Sequence, residues 1–197
     1  MRPWQALAAA AMLSAASCSS PAPPPTPVQL STRNPGDNIA PIVAFFRRTC
    51  VENFRNLAAF EASLASSGWH AVKTQSEGRG DDGGLMPTAW RLDHGELVLT
   101  SMEPMPMCLL SLRSDVAPRM STLRAALLQA VTPSNRQVLE EDPNGGAWAW
   151  PDRPGFRQVL TISVIPASPG ETQGPERQGV SLNLSVEPIP LPSTNRE

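Results

Sequence analysis

Residues 41–64 read PIVAFFRRTCVENFRNLAAFEASL. Ile42, Val43, Phe46, Cys50, Phe54, Leu57, Phe60 and Leu64 recur at three- and four-residue steps, with Arg47, Arg48, Glu52, Arg55 and Glu61 between them. That spacing lines one side of an amphipathic helix with apolar side chains. Asp37 or Asn38 can cap its start, Pro41 fits a first turn that has no use for its missing N–H, and Gly68 stops it. The β-branched pair Thr49 and Val51 marks where the helix would bend or split. Cys50 lies on the apolar side, so its sulfur points at whatever layer the helix covers.

Working outward, residues 69–72 are short and apolar, and residues 73–87 hold the Gly-rich run SEGRGDDGG, read as an exposed loop. Residues 90–92 and 97–101 predict a hairpin around the turn Asp93-His94-Gly95. After MEPMPM, the alternating residues 108–112 predict a third strand that carries Cys108. A second helix is expected over 116–131, followed by strands at 137–140, 156–166 and 179–188. The order helix, three strands, helix, three strands predicts an α+β fold, with an antiparallel sheet and two main helices on one face. The two halves look alike in outline without shared sequence identity.

The chain has three cysteines. If Cys18 is otherwise engaged, Cys50 and Cys108 form an even pair, read as one structural disulfide of an oxidising compartment. They lack the C-x-x-C spacing that lowers a catalytic thiol's pKa. The helix side bearing Cys50 is then expected to pack on the sheet that carries Cys108.

The first residues, MRPWQALAAAAMLSAASC, place one charge at Arg2 before an apolar stretch and small residues, the grammar of an export signal. The apolar stretch is shorter than the roughly 20 residues a transmembrane helix needs. Ala15-Ala16-Ser17-Cys18 resembles the lipobox of bacterial lipoproteins, with Ala15 where that family usually has Leu. The resemblance implies cleavage before Cys18, acylation of Cys18 and attachment to a membrane facing the periplasm. Ser19, which is not Asp, is similar to what outer-membrane lipoproteins carry at that position. Ordinary secretion, with cleavage after Ala16, is the alternative. The expected organisation is a signal peptide at 1–17, a Pro/Ser-rich tether at 18–37, one domain at 38–188 and a frayed tail at 189–197.

Removing residues 1–17 takes away only Arg2, leaving fifteen basic side chains against eighteen acidic ones. A mildly acidic domain without a basic stripe is not a nucleic-acid binder. No G-x-S-x-G elbow, Walker A or dinucleotide fingerprint occurs, and no cofactor is called for. His70 and His94 are the only histidines. With Asp81, Asp82 or Asp93 they define the alternative of a metal-dependent or other hydrolase. Gly80-Asp81-Asp82-Gly83-Gly84 lacks the spaced oxygens of an EF-hand. Trp148 and Trp150 share one face if their segment is extended, and would either hold a glycan, peptide or envelope-protein partner or cover the core. Met102, Met105 and Met107, interleaved with prolines, are read as loop packing. The segments around Phe46, Arg48 and Cys50, Trp90 and Leu92, and Met107-Cys108-Leu109 resemble uncharacterised envelope proteins of proteobacteria, which implies an exported α+β domain and no activity. The functional expectation is a noncatalytic binding or envelope-assembly module. Its oligomeric state is not legible in the sequence.

Overall fold

The computed structural model describes residues 25–79, 85–165 and 179–190. The leader, Cys18, the loop 80–84, residues 166–178 and residues 191–197 lie outside the described residues. A 3₁₀ turn, Pro35–Asn38, leads into α1 (Ile39–Phe46). The helix then widens into a π-type turn over Arg47–Val51. Inside it, the buried Thr49 hydroxyl donates to the Phe45 carbonyl, one turn back, at 2.6 Å. Such back-bonding and π-type insertions bend helices. The chain restarts as α2 (Leu57–Ala65), capped by Asn56, whose Oδ1 accepts from the Ala59 N–H at 3.0 Å. The single helix read over 41–64 is therefore two, divided just after Thr49 and Val51. Phe46, Cys50, Phe54 and Phe60 nonetheless all remain buried.

Asn38 does not cap α1 with its side chain. It is buried, and its Nδ2 donates to the carbonyls of Ser31 and Val116 at 2.9 and 2.8 Å while its Oδ1 accepts from the Ser31 N–H at 2.7 Å. One amide thus staples the incoming chain to the approach to the third helix, and nearby Leu30 is buried in the core.

Ten strands follow in order: β1 (Ala71–Gln75), the short ribbon β2 (Gly78–Arg79) and β3 (Leu85–Met86), β4 (Thr88–Leu92), β5 (Gly95–Thr100), β6 (Met107–Leu112), β7 (Gln137–Asp142), β8 (Gly145–Arg153), β9 (Phe156–Ile165) and β10 (Gly179–Pro188). α3 (Met120–Val131) separates β6 from β7. Eight strands form one antiparallel sheet in the order β1-β4-β5-β6-β10-β9-β8-β7. The fold is α+β as expected, but each half contributes four strands to the sheet rather than three, and there are three helices rather than two. Each half is a helical segment followed by a four-strand meander, and the last strands of the two meanders, β6 and β10, lie side by side.

The stretch 73–87, read as a loop, instead holds the end of β1 and the β2–β3 ribbon, and two strands of the main sheet escaped the sequence pattern for identifiable reasons. In β1, Lys73 pairs with Trp90 on the core-facing side, where its amine lies over the indole at 5.9 Å and bonds Glu61 at 2.8 Å. The lysine stem thus does the covering that an apolar residue would do. In β8, Gly145, Gly146 and Pro151 look like turn residues. Yet the β7 ladder ends at Ala149, so the missing N–H of Pro151 falls where no β7 partner is present. Gly146 must lack a side chain, since a Cβ there would meet the Trp148 ring at 2.5 Å.

The register stacks the core into rows across the sheet. One runs Thr88, Leu99, Cys108, Leu184, Leu160, Trp148, and the next runs Trp90, Leu97, Leu110, Leu182, Ile162, Gly146. Their large side chains join those of Ile42, Phe46, Phe60, Leu123 and Leu127 in one cluster, so the helices cover this face. The opposite face carries small polar residues such as Ser111, Ser181 and Ser163, adjacent in register. Cys50 and Cys108 form a disulfide, with both residues fully buried, linking the helical layer to central strand β6.

Shortly after Cys50 in the chain, the Arg55 guanidinium donates to the Asp152 carboxylate, which also accepts from Gln158 Nε2 at 2.8 Å. Burial pushes the Asp152 pKa up, but the Arg55 hydrogen bond, then Gln158 and the charges of Arg55 and Arg153, carry it below 3.8 overall. This pair joins the α1–α2 junction to β8 of the other half.

Replacing both Cys50 and Cys108 by Ala is expected to lower the unfolding free energy by about 4 kcal/mol, the chain-entropy value for a loop of this length. A urea midpoint equal to that of the parent would show that the bond does not constrain the unfolded chain. For Asp152→Ala, the expected loss at neutral pH is roughly 1.5–3 kcal/mol, as for a hydrogen bond to a charged group. Because the folded pKa is depressed, the carboxylate's contribution is complete above the unfolded value of 3.8 and disappears as pH falls through the lower folded value. Denaturation curves of parent and variant should therefore converge in acid; a gap independent of pH would exclude the ionic contribution.

Candidate functional site

The two histidines, grouped in sequence only as a candidate metal or hydrolase site, line one cleft in space. His70 follows the end of α2 and His94 sits in the β4–β5 turn, and both line a cleft of about 190 Å³ with Val28, Leu30, Trp69 and Asp93. His70 Nδ1 lies 2.8 Å from Asp93 Oδ1. His94 Nδ1 lies 3.4 Å from both Asp115 Oδ2 and Arg113 Nη2. For Asp115, burial raises the pKa, but the Arg113 hydrogen bond and charge, with His94 behind them, bring it below the ordinary value. The His70–Asp93 pair is largely in solvent, with side chains 69% and 62% exposed, so its electrostatics are screened. Among the described residues, no group of three or more His, Cys, Asp or Glu is placed to hold a metal ion. Asp81 and Asp82 lie outside the described residues.

Trp148 and Trp150 do share the core-facing side of β8, opposite Leu160 and Gln158. Their exposures are 1% and 8%, and both belong to the core cluster. An indole buried against Gly146 has no face to offer a sugar or peptide. Met102 and Met105 are exposed in the loop before β6. Cys18 lies outside the described residues.

A second concavity, of about 450 Å³, opens where three distant segments meet: Pro35, Gly36 and Ile39 at the start of α1, residues 117–122 entering α3, and Val164 and Val180 at the end of β9 and start of β10. Its apolar wall is made by Ile39, Ala117, Met120, Val164 and Val180, and Ser114, Arg119 and Thr122 add polar groups. Pro118 explains its shape. A residue before proline avoids helical geometry, so the helix expected from 116 starts only at Met120, and residues 114–119 form a shelf beside it. No sequence signal marked this cavity, because none of its three segments has a functional pattern of its own.

Comparison with protein families, with curated proteins and with solved structures finds no match for this chain.

The burial of Trp148 makes a discriminating prediction. Trp148→Ala should cost about 3–5 kcal/mol of folding stability, as large-to-small changes in a packed core do. Thermal unfolding by circular dichroism checks it, and an unchanged midpoint would place the indole outside the core.

Proposed function

We propose that this chain is an exported lipoprotein, acylated at Cys18 and held on a membrane facing the periplasm, whose folded domain is a noncatalytic binding or envelope-assembly module. The observation that carries this reading is the Cys50–Cys108 bond at the centre of the core. Fully buried disulfides of this kind are built where thiols are oxidised, outside a reducing cytosol. With these two cysteines paired, Cys18 is the one remaining cysteine of the three, and it stands in a lipobox-like context after a leader with export character. Three acyl-type attachments at one residue anchor stably where a single chain would not. Among the described residues, no helix is long and apolar enough to cross a membrane, so the lipid is the attachment this reading requires.

The noncatalytic part rests on the site geometry. Each histidine faces a carboxylate near the protein surface, and the larger cavity is lined, among the described residues, by apolar groups, two hydroxyls and a single cation. That composition suits binding rather than proton or acyl transfer. Outer-membrane sorting follows from Ser19 within the same reading, and an envelope protein or glycan is the class of partner it implies.

Intact mass of the protein extracted from envelopes, compared with a Cys18→Ala variant, tests the anchor. The expected result is a diacylglyceryl and acyl mass increment on a chain starting at Cys18, and loss of the variant from the membrane fraction. A variant that stays in the membrane fraction, or a parent mass corresponding to cleavage after Ala16, would overturn it.

A further inference from the structure

We propose that the cavity between the start of α1 and the start of α3 binds an amphipathic anion, a carboxylate head on an unbranched apolar tail. The proposal deepens the reading of the domain as a binding module and does not depend on the lipid anchor. At about 450 Å³ the cavity has the volume of a small-molecule site. Ile39, Met120, Val164 and Val180 give it an apolar wall that water covers poorly and a hydrocarbon covers well. Among the described residues, Arg119 is the one charged residue lining it.

The state of that arginine decides the sign of the ligand. Arg47, Arg55, Arg113, Arg124, Arg153 and Arg157 each sit on a carboxylate, whereas Arg33, Arg48, Arg91 and Arg136, none of which lines the cavity, have no ion pair with a described residue. Arg119 is exposed at the rim and forms no ion pair with any described residue. A guanidinium presents paired N–H donors in the geometry of a carboxylate, and among the described residues no acidic side chain lines the cavity to compete for it. An inorganic anion would leave the apolar wall wet, whereas an uncharged hydrocarbon would leave Arg119 unused. A carboxylate with a tail satisfies both, its head at Arg119 and its tail along Met120 and Val164 toward Val180.

The test titrates decanoate, below its micelle concentration, into the full chain carrying Cys18→Ala. That variant has no lipid whatever happens at Cys18 in the parent, so this result and the anchor result are read separately. Calorimetry should give saturable one-to-one binding, weakened about tenfold or more by Arg119→Gln, the order of one charge-assisted pair. Decyltrimethylammonium, with the same tail and the opposite charge, should not bind. Thr122→Trp, at an exposed position on the cavity wall, should fill the space and abolish binding while leaving the thermal midpoint unchanged. Absence of saturable decanoate binding to a folded chain, equal binding of the two amphiphiles, or an unchanged affinity in Arg119→Gln would each overturn the proposal.

Discussion

The bond between Cys50 and Cys108 fixes the relation between the two layers on which the rest of the structure depends. Its first cysteine lies in the widened turn between α1 and α2, and its second lies in β6, an interior strand beside β10. A helix packed on a sheet can slide or rotate by one residue at modest cost while its side chains stay apolar. A covalent link at 58 residues' separation removes that freedom and selects the register in which Phe46, Phe54 and Phe60 also face the sheet. The π-type turn is the local adjustment that keeps the residues on both sides of Cys50 pointing inward.

The sheet is the second constraint. Two meanders, each with a helical segment before it, meet through β6 and β10, so that both cores merge across one ladder. This arrangement buries the most regular strands at the centre and leaves β1 and β7 at the edges. All six residues of β7 are exposed, and it carries Glu140, Glu141 and Asp142, charges of the kind that discourage edge-to-edge strand pairing. Among the described residues, polar links between the halves include Arg153 of β8 with Glu103 and the Pro104 carbonyl. Asn38 ties the incoming chain to Val116, and Arg55 ties the α1–α2 junction to Asp152.

How legible each element was follows from how much of its burial was local. β10 alternates Val180, Leu182, Leu184 and Val186 because one face meets the helices and the other does not, and period-two patterning records that directly. β1 and β8 hid because their core-facing positions are filled by Lys73 or accommodated by Gly146, solutions that make sense only beside Trp90 and Trp148. The same reasoning separates the candidate sites. The tryptophan pair was visible as a pattern, and only packing made it core. The two histidines were visible as residues, and only the β4–β5 turn brought them to one cleft. The cavity was invisible, since a wall shared by residues 35–39, 117–122, 164 and 180 leaves no motif in any one segment.

The sequence by itself determined the α+β class, the two-part outline and the hinge near Thr49 and Val51, because periodicity and β-branching are local properties, and it offered the pairing of Cys50 with Cys108 only once Cys18 was set aside. Tertiary structure alone decided the fourth strand of each meander, the side-chain role of Asn38, the burial of both indoles and the exposure of Arg119, without an ion pair among the described residues, over an apolar wall. Each of those depends on contacts between segments far apart in the chain, whose free energy no single window of residues contains.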